Sequence, residues 1–309
     1  MPKQEHAELS AQFINSNFVR KIESGRVKEA EDEGSRFIRS RMRQDSFARE
    51  ILEPVEIGPD ELDRDVNTDQ PQKIVEKEPD STATYVTFKG TGQRSWFRGE
   101  RYAVRFGKVE SQRFTKSKFE LMTYQNDIRK ILTDNSVKDM ADQEDSKFIE
   151  TADAAATAAS NVDTAENMAG AANFDPSLIR AGVNRLLTNQ IPCGKILMTK
   201  ELYNYALEMP QSQIGDKVAS RHYDEGIEGE KSLYGYPVIT TIKNDIIAKT
   251  EIYFFAPQEY LGNFFLLQDA TLFIKQEADI IEFWSYSAPG IGIGNINGVV
   301  KMTAVAAPA

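Results

Sequence analysis

EIYFFAPQEYLGNFFLLQDATLFIKQEADIIEFWSYSAPGIGIGNINGVVKMTAV, residues 251–305, is the stretch whose reading decides the fold. It reads as a strand, a turn, an apolar segment, a second strand, a corner of small residues and a last strand. Aromatic and β-branched side chains dominate it, and candidate catalytic side chains are almost absent. A segment of this kind is packing surface, which points to a protein that builds rather than one that reacts. Its last strand is expected to return the chain to its first domain.

Gly290, Gly292 and Gly294 raise a dinucleotide reading, and the spacing fails it. Counted from Gly290 the third glycine falls on Asn295, and from Gly292 on Asn297. The next residues, NINGVVKMTAV, have strand character, whereas the fingerprint needs a helix N-terminus facing the phosphates. Close backbone packing at a sheet corner is the alternative the pattern supports.

Upstream, ILMTKELYNYALEM (196–209) predicts a strand feeding a helix, and LYGYPVITTI (233–242) another strand. Asp175-Pro176 is a helix-start signal, with Leu178, Ile179, Val183, Leu186 and Leu187 on the buried face. A second domain is expected to start here, and residues 211–232 form a polar loop within it. A further helix is expected at 124–150, passing through the small-residue stretch 152–173 into a connector.

The N-terminal third differs. Residues 7–50 have a thin helical stripe (Phe13, Ile14, Phe18, Ile22, then Val27, Ala30, Phe37, Ile38, Met42) with a break at Ser24-Gly25. Charge of both signs covers the rest, so the helix suits a partner's surface better than a core of its own. Residues 51–88 carry four prolines, many charges and little periodicity, as in a long loop or extended hairpin whose strand returns near 84. Strand-like alternation continues over 94–122.

The chain has 309 residues and 40% apolar content, with 17 Phe and 11 Tyr to fill a core. A net charge of −10 argues against a dedicated nucleic-acid binder, which would show a basic footprint. One cysteine, Cys193, forms no internal disulfide and suits a reducing compartment. No run approaches the length of a membrane span, and no signal-peptide core opens the chain.

Other motifs fail for specific reasons. Gly229-Glu230-Lys231-Ser232 has glutamate where a phosphate loop needs glycine. Asp63, Asp65, Asn67 and Asp69 have calcium-loop spacing, but Thr68 replaces the turn glycine and Ile74 the bidentate glutamate. The only histidines, His6 and His222, are distant from Cys193 in sequence, which leaves no evident triad. Arg36, Arg39, Arg41, Arg43 and Arg49 form the one basic cluster, read as an ion-pairing helix face or a contact for nucleic acid or an acidic assembly partner. No catalytic, cofactor or metal residue is assigned.

Three stretches resemble one family. DRDVNTDQP (63–71) followed by KIVEKEPDS, SLYGYPVITT (232–241) and LFIKQEADIIEFWSYSAPGIGIGN (272–295) are similar to the extended loop, the returning strand and the closing segment of tailed-bacteriophage major capsid proteins with the Hong Kong 97 fold. The segment order is also similar across most of the chain. The resemblance implies an α+β fold with an N-terminal arm (1–50), an extended loop (51–83), a peripheral domain with a long helix (84–173 and 275–309) and an axial α/β domain (174–274).

It also implies a non-enzymatic head protein, assembling as hexamers and pentamers into an icosahedral shell around double-stranded DNA that it touches weakly and without specificity. A separate scaffolding protein, a portal and a decoration protein are expected partners, the virion is the expected location, and assembly is expected in the host cytoplasm. Arg36, Arg39, Arg43, Arg64, Asp65, Lys73, Trp96, Arg98 and loop 211–232 are the expected inter-subunit contacts. Lys73 or Lys77 with Asn295 or Asn297 could supply the lysine–asparagine bond of some relatives. An encapsulin-like bacterial compartment shares the fold and is the alternative; a two-domain α/β enzyme is the third reading.

Overall fold

The computed structural model describes residues 11–77, 83–92, 94, 96, 99–123, 128–164, 176–207 and 232–303. Three sheets organise them. The largest element is an antiparallel hairpin of β12 (Gly262–Glu277) and β13 (Ile280–Ile293), flanked by β1 (Pro54–Glu56), β5 (Val109–Glu110) and β6 (Phe114–Ser117). Alternation fits one covered face: Phe264, Leu266, Ala270, Leu272 and Ile274 point inward, as do Ile281 and Phe283. Two register shifts, between Leu266 and Gln268 and between Gln268 and Thr271, mark a bulged stretch. There the neighbours Asp269 and Ala270 are both buried, which strict alternation forbids.

What covers that face is the N-terminal pair α1 (Ala11–Glu23) and α2 (Val27–Asp45), with α4 (Lys118–Thr123) and part of α5 (Ile128–Ala158). Gly25, at φ +76°, breaks α1 from α2 where the sequence placed the break. Phe18, Val19, Ile22, Ala30, Ile38 and Met42 are all buried against Leu272, Ile274, Ile281 and Phe283. The expectation of a helix without a core of its own is therefore corrected. The stripe is buried between the hairpin face and the helices α4 and α5, with Leu121, Val137 and Met140 in the same cluster.

The second sheet runs β7 (Val162–Thr164), β14 (Val299–Thr303), β11 (Glu251–Phe255), β8 (Lys195–Thr199), β10 (Tyr236–Thr241), β9 (Ser232–Leu233). Helices lie on both sides. α6 (Pro176–Thr188) and α7 (Lys200–Leu207) pack on Ile196, Met198, Ile252, Phe254 and Val300. α3 (Phe47–Ile51) and α5 pack on Leu197, Tyr253, Phe255 and Val299. A strand buried on both faces loses its alternation, which is why EIYFFA is continuously apolar. β9 and β10 are joined by Tyr234 and Gly235, both at positive φ, the two-residue turn that matches strand twist.

Several strand assignments part from expectation. β14 pairs with β11, from Glu251 with Thr303 to Phe255 with Val299, so the closing strand belongs to the second sheet and not to the 275–309 peripheral segment. Conversely β12, expected within 174–274, is the spine of the first sheet. β11, β12 and β14 all lie inside their sheets, and apolar strands of such similar composition do not show in sequence which sheet each joins. Residues 118–123 are helical rather than extended, and α5 runs on to Ala158 through the small-residue stretch.

The third sheet is the extended loop. β2 (Asp63–Arg64), β3 (Pro71–Glu76) and β4 (Arg101–Arg105) form an antiparallel ribbon, Gln72 facing Arg105 and Glu76 facing Arg101. Its return strand is β4, since residues 83–87 carry no strand. The loop thus reaches well beyond residue 83. Its start also differs: Ile51 and Leu52 are buried in the body, and β1 runs parallel to β12. The architecture is α+β, and among the described residues no helix is long and apolar enough to cross a membrane.

Candidate assembly surface

The ribbon is seated on β13 by glycine. A Cβ on Gly290 would lie 2.8 Å from Phe106 ring carbons, and one on Gly294 would lie 2.7 Å from the Tyr102 ring; on Gly292 it would collide with Val104. The three glycines therefore let Tyr102 and Val104 of β4 and the following Phe106 rest on bare backbone. Tyr102 Oη accepts a hydrogen bond from Asn263 at 2.8 Å, and Phe106 bridges Gly290. This is the close backbone packing that the glycine spacing suggested.

Ion pairs run along the ribbon. Lys73 meets Glu61 at 2.7 Å, Arg101 meets Glu76 at 2.9 Å, and Arg105 meets Asp65 at 3.0 Å. Arg64 pairs with Asp69. The Asn67 N–H hydrogen bond, aided by the Arg105 charge, holds Asp65 below the usual carboxylate range. Arg64, Asp65 and Lys73, expected at subunit contacts, thus have partners within the chain, and in the turn Asp65 is paired by Arg105 of β4 and Asp69 by Arg64. Exposed pairs of this kind contribute little each; they orient the ribbon more than they stabilise it.

Beyond β3 the ribbon carries Tyr85, Phe88 and Trp96 at relative exposures of 104%, 111% and 96%. These rings touch almost nothing of their own chain. Trp96 was expected at a contact, and the structure leaves it free to make one. Tyr85 and Phe88 escaped notice because their alternation with Val86 reads as a paired strand. Arg98 lies outside the described residues, as do residues 211–231 of the polar loop, His6 and His222.

On α2, Arg36 is exposed, and Arg43 has its side chain outside the described residues. Arg39 turns inward: its Nε donates to the Ala270 carbonyl at 3.1 Å and its guanidinium sits 3.8 Å from Asp269. Arg39 therefore holds the bulge of β12 within the chain. Asn295 accepts from the Asn297 N–H and caps a 3-10 turn, Ile296–Gly298. The Cys193 thiol is buried, and burial pushes it up to about 12, far from a working nucleophile.

The strongest electrostatic feature is buried. Arg49, on α3, grips Glu144 of α5 through Nε at 2.7 Å and Nη2 at 2.9 Å, and Asp269 through Nη1 at 3.0 Å. The three side chains are 1%, 0% and 5% exposed. Desolvation opposes the Arg49 charge, yet the hydrogen bond and field of Glu144, then those of Asp269, raise its pKa further. Beside it Asp145 accepts from Ser46 Oγ at 2.8 Å and the Ala48 N–H at 2.9 Å, and pairs with Lys243 at 2.5 Å. Burial outweighs these partners and holds Asp145 above the ordinary carboxylate range.

One arginine thus ties the N-terminal region, the long helix and the hairpin bulge. Arg49 stood in the basic cluster read from sequence but was not separated from its neighbours. A signal existed: Glu144 and Asp145 fall on the stripe of Val137, Met140, Ala141 and Phe148, where carboxylates need a buried cation. These contacts fix α3, α5 and the bulge of β12 against one another.

No family model matches the sequence, and no curated protein is similar to it. Solved structures are similar. A virus-like particle from Pyrococcus furiosus matches at 14% identity and TM-score 0.56, over 89% of this chain and 99% of that one. Microbacterium phage Oxtober96 matches at 9% identity and TM-score 0.59, over 84% and 91%. The capsid of a native GTA particle matches at 13% identity and TM-score 0.55, over 84% and 90%. The likeness shows the fold: an α+β, Hong Kong 97-like fold.

Proposed function

We propose that this chain is the major shell subunit of an icosahedral phage head, assembling as hexamers and pentamers around double-stranded DNA. The observation that carries the reading is the near-complete overlap with shell-building chains, 90% of the GTA capsid chain and 99% of the Pyrococcus particle chain. The surface supports it. A loop that presents Tyr85, Phe88 and Trp96 to solvent is costly for a monomer and useful only with a partner.

In this reading the chain is non-enzymatic and part of the virion, put together in the host cytoplasm. Its DNA contact is weak and non-specific, which is consistent with a net charge of −10. A scaffolding protein, a portal and a decoration protein are its further partners. Residues 1–50, 51–83, 84–173 with 275–309, and 174–274 remain the proposed division, with β14 contributing to the axial sheet and the loop extended to β4. Exposed Arg36 and Trp96 remain proposed assembly contacts, and Arg43, Arg98 and loop 211–232 join them.

The match to the Pyrococcus virus-like particle keeps a second reading, an encapsulin-like compartment. Negative-stain microscopy and sedimentation of the purified protein test both. Shells that are empty or hold DNA support the head; shells filled with protein cargo support the compartment. A monomer at all concentrations and ionic strengths refutes both.

A further inference from the structure

Much of β12 has an edge that no strand covers. On the side away from β13, β1 pairs only Phe264, Phe265 and Leu266, and among the described residues no strand follows it there. Three side chains of α2 take the strand's place. Arg39 Nε donates to the Ala270 carbonyl at 3.1 Å, Ser35 Oγ accepts the Leu272 N–H at 2.9 Å, and a Glu31 carboxylate oxygen accepts the Ile274 N–H at 3.0 Å. The Ser35 hydroxyl hydrogen goes to the Glu31 carbonyl at 2.6 Å, which leaves its lone pairs for the strand. Four helical residues rise about 6.0 Å and two strand residues about 6.8 Å, so a helix running against the strand meets every second residue. Gly34 permits the approach, since a Cβ there would collide with the Leu272 side chain.

We propose that α2 is an edge guard, closing β12 against strand addition by a second copy of this chain. The covered strand invites pairing: GNFFLLQDATLFI (262–274) has three phenylalanines, one charge, Asp269, and no proline. An open edge of this kind is a template for another strand. The same edge of a second copy answers it about a two-fold axis, each strand offering the N–H and C=O groups the other lacks, which is why the occupant is a copy. Arg39, Ser35 and Glu31 reach their partners across 231, 237 and 243 residues, so α2 is synthesised first and is on hand when β12 appears. The guard is a property of the single chain and stands apart from the shell reading.

Two measurements on the full-length, unassembled protein test this. Glu31→Leu with Ser35→Ala removes both acceptors and keeps good helix formers on α2. Hydrogen exchange of the Leu272 and Ile274 amides is expected to speed up at least about tenfold, while that of Phe273, which pairs with Trp284 on β13, stays within about threefold of the wild type. The same variant should form aggregates with an intermolecular β-sheet infrared band at least about tenfold faster than the wild type. Gln276 is exposed on the same strand, two residues beyond Ile274; adding Gln276→Pro withdraws an edge N–H and should return that rate to within about threefold. Glu31→Gln keeps an acceptor oxygen and should match the wild type in both assays. Ser35→Ala alone, the milder change, should free the Leu272 amide in a folded chain.

Unchanged exchange at Leu272 in the Ser35→Ala chain, folded by circular dichroism, means that α2 does not close the edge and overturns the proposal. Faster exchange without faster aggregation overturns it as well, and so does aggregation that Gln276→Pro does not slow, because another surface is then joining the copies. Should the double variant fail to fold, Ser35→Ala with and without Gln276→Pro gives the same two readings. Neither reading needs shells to form, so a wild type that never assembles overturns the shell reading and leaves this one to its own test.

Discussion

Replacing Arg49 with methionine keeps length and apolar bulk but removes the only cation bonded to Glu144 among the described residues. Glu144 would retain one hydrogen bond, from Ser287 Oγ at 3.1 Å, in a site with no solvent exposure. Asp269 would keep the Ala270 N–H at 2.8 Å and the more distant Arg39. Breaking one side of a buried pair costs about 3–5 kcal/mol, chiefly through the carboxylate left unpaired. With a urea m value of roughly 3 kcal/mol/M, a loss of about 4 kcal/mol lowers the midpoint by about 1.3 M.

The assay is urea unfolding of unassembled protein at pH 7, followed by far-UV circular dichroism. A double-mutant cycle locates the cause. Glu144→Gln in the Arg49→Met background removes the orphaned charge, so the double variant should be more stable than the sum of the two single losses by about 1–3 kcal/mol. A single-variant loss under about 1 kcal/mol, or additivity within about 0.5 kcal/mol, would refute the claim that Arg49 holds α3, α5 and the hairpin bulge together.

Three further outcomes rest on the same geometry. Gly290→Val forces a side chain into the Phe106 ring and should cost about 1–3 kcal/mol and expose the ribbon to limited proteolysis between residues 77 and 100; an intact proteolysis pattern would contradict the seating. Asp145 has a folded pKa raised by burial, so between the ordinary and raised values the folded chain holds a proton the unfolded chain lacks. Its contribution is therefore lost as pH rises through the raised value, and the wild type should gain stability relative to Asp145→Asn as pH falls from 7 towards 4; a constant gap in urea midpoints would refute this. Cys193, pushed up to about 12, should resist thiol reagents at pH 8 in the folded protein and react once urea unfolds it, which a colorimetric thiol assay reads directly; fast labelling of the native state would contradict the burial.

Much of the local structure was legible because local rules set it. Pro176 begins α6, Gly25 ends the first helix, and ILMT followed by KELYNYAL is strand then helix, each through dihedral preference or apolar period. The glycines at 290, 292 and 294 announced close packing correctly, although not the strand that packs on them. Residues 84–89 misled because Tyr85, Val86, Thr87 and Phe88 have strand composition with no ladder to join. Composition reports a side chain's preference, and pairing needs a free edge elsewhere.

By itself, then, residues 251–305 determined that the chain ends in packing surface with little chemistry, and that apolar strands fill it. Only the tertiary structure decided how those strands divide: β12 and β13 form the hairpin under α1 and α2, while β11 and β14 join the sheet that α5 and α6 sandwich. The same holds for Arg49, one arginine among five until Glu144 and Asp269 close on it from sites 95 and 220 residues away. Local preference is written in neighbouring residues; which edge meets which, and which charge meets which, is settled by the burial they share once the chain has folded.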